Sequence, residues 1–273
     1  MDNASTDDTA ELVKSYRLAN MPVRHVYEPQ RGKGYAYNAG MAAAQGDVFL
    51  FTDDDVRPPI NWIEGMCRPI LSGEADAVAG GVKFAPHLER PWMKSAHYDW
   101  LASTLSVNAQ QPNRLVGANM AFTKSVLSKV PRFDTELGPG AIGFGDETLF
   151  SWQLIEAGYS LQARLDVEVE HHFNPDRLSR KSFASAAKKH GSTVAYLNYH
   201  WQHDAMANVR LHLIKRSARL QLRRFMQRRE ILRHEAMPDW EMEMLLELSF
   251  YKQYLIEQKR PRNYEKRGLV KRI

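Results

Sequence analysis

"VFLFTDDDV", residues 48–56, sets four apolar residues and a threonine directly before three consecutive carboxylates. A run this short and apolar reads as a strand buried in a parallel sheet. Open α/β sheets bind ligands just beyond the carboxyl ends of their strands. Asp53, Asp54 and Asp55 stand at that point, and three adjacent negative charges repel one another unless a cation lies among them. Hard divalent ions take oxygen ligands of this kind and commonly share them with substrate phosphates. The block predicts a Mg²⁺ or Mn²⁺ site for a diphosphate-bearing substrate. A solvated acidic turn is the competing reading.

Working outward, short apolar runs alternate with amphipathic ones. "DNASTDDTAELVKSY" (2–16) reads as a turn feeding a helix, with Ser5 or Thr6 near the N-cap. "VRHVYE" (23–28) reads as a strand, and "GYAYNAGMAAAQG" (34–46) as a helix closed by Gly46. "INWIEGMCRPIL" (60–71) is a further helix and "ADAVAGGV" (75–82) a further strand. This alternation predicts an α/β fold with a mostly parallel sheet and right-handed crossovers. "DNAST" looks like the loop after a strand, yet only Met1 precedes it, so the pattern predicts an opening strand upstream.

The ordered set "DNASTDDT" (2–9), "RGKGYAYNAG" (31–40), "FTDDDVRPP" (51–59), "GANMAF" (117–122) and "GFGDETLFSWQLIEAGY" (143–159) resembles the family 2 glycosyltransferases of the GT-A fold. The resemblance spans roughly residues 2–173. It implies a nucleoside-diphosphate sugar as donor and a saccharide or lipid-linked saccharide as acceptor. Asp2 takes the place of the aspartate that binds the nucleobase. Arg31, Gly32, Lys33 and Gly34 supply charge and close backbone approach beside the diphosphate. The aspartate block stands where the family has its Asp-x-Asp motif: Asp53 at the ribose or metal, Asp55 on the metal, Asp54 undecided between roles. Asn119 is placed to hydrogen-bond a sugar hydroxyl. His171 and His172, at the end of "VEVEHHFNP" (167–175), offer a further metal or phosphate contact. Neighbours on a strand face opposite ways, so at most one of them points into the site.

The general base falls in "GFGDETLF". The family order is Glu-Asp with the second acid as base, whereas this chain has Asp146-Glu147, which leaves Glu147 and Asp146 both in play. The competing reading for these acids is a first helical turn complementing the helix dipole. The reaction implied is a metal-dependent single displacement with inversion. Two alternatives stay open: a nucleotidyltransferase on a GT-A-like sheet, and a non-catalytic sugar-nucleotide-binding protein.

Charge divides the chain. Residues 1–175 carry 15 Lys and Arg against 22 Asp and Glu, a net −7; residues 176–273 carry 22 against 10, a net +12. The boundary predicts a catalytic domain over 1–175 and a basic helical extension over 176–273. Leu211, Ile214, Ala218, Leu222 and Phe225 follow helical spacing, and a second helix begins near Pro238. This extension reads either as a hairpin packed on the domain with a solvated basic surface, or as an attachment to an anionic membrane surface. Nucleic-acid binding is not expected, since no groove-reading module accompanies the charge. A single cysteine, Cys67, excludes an internal disulfide framework, and no apolar run reaches the roughly 18 residues of a membrane span. A cytoplasmic protein, peripheral on the inner face of the plasma membrane, is the expectation.

Overall fold

The computed structural model describes residues 1–17, 21–105 and 107–272. Among these, β1 (Val48–Thr52), β2 (Val56–Arg57), β3 (Ala77–Phe84), β4 (Asn119–Thr123) and β5 (Leu161–His171) form one sheet in the order β1-β4-β3-β5-β2. β4 runs antiparallel to β1 and β3, β2 antiparallel to β5, and only β3 and β5 pair in parallel. The sheet is mixed, where strand–helix alternation predicts a mostly parallel one. The alternation fails between β3 and β4: the described residues between them hold short helical turns instead of a long crossover helix, and the chain returns in the opposite direction.

Because β1, β3 and β5 share a direction, Thr52, Phe84 and His171 end at one edge of the sheet. β4 begins at that edge, with Asn119 opposite Thr52, and β2 pairs Val56 with His171. The 53–55 turn, the 115–119 turn and the end of β5 therefore converge.

Before β1 lie α1 (Thr9–Ser15) and α2 (Lys33–Ala43); α3 (Trp62–Leu71), α4 (Ser95–Trp100) and α5 (Asp146–Glu156) follow. α1 starts after Asp8 instead of Ser5 or Thr6, and the Asp7 carboxylate accepts from the Thr9 N–H at 3.1 Å. α2 stops at Ala43 because Ala44 turns extended, which leaves Gly46 outside the cap. The strand expected over 23–28 contributes a parallel bridge between Asp2 and Tyr27.

One core cluster lies between α2, the sheet and α5. Its rings stack closely, with Phe133 and Phe150 at 4.2 Å and Phe51 and Phe122 at 5.3 Å. Each such pair adds about 0.5–1.5 kcal/mol beyond area burial.

Beyond residue 175 come α6 (Arg180–Leu197), α7 (Val209–Met226), α8 (Arg228–Arg233) and α9 (Asp239–Glu257). They share cores with the sheet: Phe84, Leu101 and Phe173 pack with Phe183, Leu220 and Trp240. A polar network adds to this. The Asp134 carboxylate accepts from Tyr196 Oη (2.5 Å), Tyr264 Oη (2.7 Å) and Lys271 Nζ (2.6 Å). Among the described residues no helix is long and apolar enough to cross a membrane.

Candidate active site

Lys33, the first residue of α2, is the hub of the convergent edge. Its Nζ lies 2.8 Å from Asp53 Oδ1 and 5.3 Å from the centre of the Tyr37 ring. Burial works against its charge. Tyr37 and Asp53, and beyond them Glu147 and Asp146, outweigh that and hold its pKa well above the ordinary lysine value. The Lys33 ammonium is thus a permanent cation between the aspartate turn and the acidic start of α5.

Gly32 has φ +140°, and its N–H donates to Asn3 Oδ1 at 2.7 Å while Lys33 N–H donates to Pro139 O at 2.9 Å. These bonds fix the lysine backbone against the loop before α5. Gly34, expected beside a diphosphate, instead faces the 134–135 backbone: a Cβ there would meet Asp134 O at 3.0 Å. Its role is close helix packing. Arg31 is exposed.

The three aspartates part company. Asp53 pairs with Lys33; Asp54 is exposed and joins neither pair; Asp55 Oδ1 lies 3.3 Å from His171 Nε2. The cation that relieves Asp53 is therefore the chain's own lysine. His171 is buried and its Nδ1 donates to Leu101 O at 3.1 Å. That bond aims Nε2 at the Asp55 carboxylate. The pairing with His171 lowers the Asp55 pKa against the effect of burial, with Arg177 assisting. His172 turns away, its Nε2 2.6 Å from Glu170 Oε1 and its ring toward His87, so it does not join the expected metal set. Alternation at the end of β5 is the reason.

A carboxylate oxygen and an imidazole nitrogen aimed at one point suit a divalent ion that keeps its other positions for phosphate oxygens and water. Among the described residues no third His, Cys, Asp or Glu joins them in a protein-only cage.

Asp146 and Glu147 open α5 after Gly145. Asp146 is buried, and neither of its carboxylate oxygens meets an N–H or O–H donor. It faces Glu147. Burial, then the neighbouring Glu147 charge, push the Asp146 pKa well up. For Glu147 burial acts in the same sense, but the hydrogen bond from Asp146 and the charges of Lys33 and Arg114 prevail and hold it below the usual glutamate value. The two shifts diverge, favouring the protonated form at Asp146 and the anion at Glu147.

Two expected contacts become structural. Asn119 is fully buried; its Nδ2 donates to Gly81 O and Val167 O, and its Oδ1 accepts from Trp62 Nε1. It locks three strands and α3 together and cannot reach a sugar hydroxyl. Asp2 is 4% exposed, with Oδ1 accepting from Ser5 N and Oδ2 3.0 Å from His25 Nε2. The Ser5 backbone bond, then His25, lower its pKa to about 2. Its carboxylate is spent on the turn instead of a nucleobase.

Residues outside the expected set also face this edge. Arg177, stacked 5.3 Å over Phe173, directs its charge at Asp55 and Asp53, and burial pushes its pKa down. His190 of α6 stacks on Phe144 at 3.9 Å and on Trp100 at 4.9 Å. A cleft of about 380 Å³ between the 139–144 loop and α6 is lined by Trp100, Phe144, Arg177, Ser182 and Lys189. A cavity of about 500 Å³ beside Tyr35, Phe133 and Val270 holds none of these acids and lies apart from them. "NPDR" gave one available signal, a basic residue shortly after the strand end. His190 had none.

Residues 1–130 match the family model described as glycosyl transferase family 2. They are a glycosyl transferase family 2 domain. The family match takes in Lys33 and the aspartate turn, while Asp146, Glu147 and His171 lie beyond it. The chain is 25% identical over 187 residues to the glycosyltransferase AglE of Haloferax volcanii, covering 67% of this chain and 59% of that protein. It is also 25% identical over 177 residues to a pre-mycofactocin glycosyltransferase of Mycobacterium tuberculosis, covering 60% of this chain and 36% of the relative. The chain thus spans from about a third to six-tenths of these relatives' length. Among solved structures it is similar to a mannosyltransferase from Pyrobaculum calidifontis in complex with GDP-Man and Mn²⁺. That likeness has a TM-score of 0.53 at 16% identity and covers 84% of this chain and 68% of that one. The fold is GT-A, a mixed sheet flanked by helices, with helices continuing past the family match.

Proposed function

We propose that the chain transfers a glycosyl unit from a nucleoside-diphosphate sugar to an acceptor hydroxyl, with inversion at the anomeric carbon. One observation carries this reading: the partly buried Lys33 is tied to Asp53 on one side and feels Glu147 and Asp146 on the other. One cation thus links the donor-side carboxylate with the base-side acids, as a displacement between two substrates needs.

Asp55 and His171 would hold Mg²⁺ or Mn²⁺, which when bound supplies Lewis-acid stabilisation to the leaving diphosphate. Arg177 adds a fixed positive charge on the same side. Glu147 accepts the proton of the acceptor hydroxyl as the new C–O bond forms and the bond to the diphosphate breaks. Asp146, protonated, hydrogen-bonds the Glu147 carboxylate and orients it. The cleft at Trp100 and Phe144 offers aromatic faces to an acceptor sugar. The acceptor class we favour is a saccharide, free or lipid-linked, reached at the inner face of the plasma membrane; the basic helical segment supports that placement.

The test is a panel of sugar nucleotides with Mg²⁺ or Mn²⁺, read as release of nucleoside diphosphate. Release that requires the metal and falls in the Asp55→Ala variant is the expected result. Formation of pyrophosphate from a sugar phosphate and a nucleoside triphosphate would move the chain to nucleotidyl transfer instead.

A further inference from the structure

α7 carries two apolar faces, and only one is used by the fold. Val209, Leu213 and Leu220 point inward, with Val209 and Leu220 buried. On the opposite side Leu211, Ile214, Leu222 and Phe225 are 49%, 65%, 60% and 71% exposed. Their spacing, with Ala218 between, makes one continuous stripe along the helix. Met226, the last residue of α7, and Leu232 on α8 are also exposed, at 72% and 84%. Soluble surfaces scatter such side chains singly; a contiguous row marks an interaction site.

The flanks of the stripe say what covers it. Residues 209–233 contain nine Lys and Arg and one acid, Glu230, a net +8. Arg216 is held by Glu247 at 3.3 Å, Arg224 by Glu241 at 2.8 Å, and Arg223 stacks 4.6 Å over Trp240. The other six, Arg210, Lys215, Arg219, Arg228, Arg229 and Arg233, are exposed. A helix with an apolar stripe between rows of Lys and Arg lies in the plane of an anionic bilayer, its stripe at the acyl boundary and its cations among the headgroups. A second copy of the chain would set +8 against +8. Nucleic acid would leave the stripe without a partner.

We propose that the outer face of α7, continued by α8, docks the protein on an anionic lipid surface. This deepens the membrane placement above and stands independently of the catalytic assignments. The test uses the full chain in flotation with vesicles of phosphatidylglycerol and phosphatidylcholine in equal parts, against pure phosphatidylcholine, at low and high salt. Binding to the anionic vesicles alone, weakening as salt rises, is expected. The double variant Leu222→Glu, Phe225→Glu should lose binding by about tenfold or more, and Lys215→Glu with Arg219→Glu by a similar factor. Both pairs are exposed, so the thermal melt and vesicle-free release of nucleoside diphosphate should match the parent. The proposal fails if flotation is equal on neutral vesicles, or if the double variants float as well as the parent. It also fails if nothing floats and the same substitutions abolish a concentration-dependent dimer or capture by an acidic protein. Failure of the glycosyl-transfer reading would show as an inactive parent that still floats; failure here shows as an active parent that does not.

Discussion

Replacing Asp146 by asparagine and Glu147 by glutamine should give opposite results although the two acids are adjacent. Asp146 is buried with no N–H or O–H donor at its oxygens, and it holds the proton of the pair; Glu147 is the anion. The amide introduced by Asp146→Asn keeps a donor group pointed at Glu147, so this variant should lower turnover by less than about tenfold, ~1.4 kcal/mol of barrier. The amide introduced by Glu147→Gln cannot take the acceptor's proton, and a general base contributes roughly 10²–10⁴-fold, or about 3–5 kcal/mol. The assay is release of nucleoside diphosphate with and without acceptor, beside donor affinity by calorimetry. Glu147→Gln should keep donor affinity. The sign in pH follows from the lowered Glu147 pKa: the base is ionised above it, so the acid limb of the rate lies below the ordinary glutamate range. Lys33→Met removes a charge that lowers that pKa and should move the limb upward. Equal losses in the two single variants, or transfer surviving in Glu147→Gln and vanishing in Asp146→Asn, would refute the proton assignment.

His171→Ala should weaken stimulation by Mn²⁺ as Asp55→Ala does, while Asp54→Ala leaves it unchanged; titration of activity against metal reads this directly. Asp134→Ala strips the acceptor from two buried phenols and leaves the Lys271 ammonium with Glu136 alone, and breaking such a buried set should cost about 3–5 kcal/mol in urea unfolding. A loss under about 1 kcal/mol would show the network to be ornamental. Burial pushes the His190 pKa down to about 4, so the unfolded chain takes up its proton first. That part of the stability is present above the ordinary histidine value and should fade by roughly 2–3 kcal/mol as pH falls toward 4. His190→Phe should flatten this stretch of the stability profile.

What could be read from the sequence was local. "VFLFT" is β1, the carboxylates follow it at the sheet edge, α5 begins at Asp146, and strand alternation limited the two histidines to one. What could not be read depended on distant partners. Asn119 meets Trp62 across 57 residues, and the same asparagine in a looser turn would have faced solvent. Asp2 gave no sign that His25 would close over it. The antiparallel entry of β4 followed from a missing crossover helix, which is an absence of pattern. On α7 the spacing of Leu211 to Phe225 identified a face but not its direction. A second apolar face one half-turn away took the inward position.

Asn38 grips Phe133 from both sides, its Nδ2 donating to Phe133 O and its Oδ1 accepting from Phe133 N. The next residue, Asp134, receives Tyr264 and Lys271. The far tail is in this way fastened, through one short peptide, to the helix whose first residue is Lys33. Shortening the protein past Tyr264 to aid expression would leave the interior Asp134 carboxylate with Tyr196 as its remaining donor among these three and loosen the mount of the lysine. A chain trimmed this way could fold well enough to purify and still handle its donor poorly.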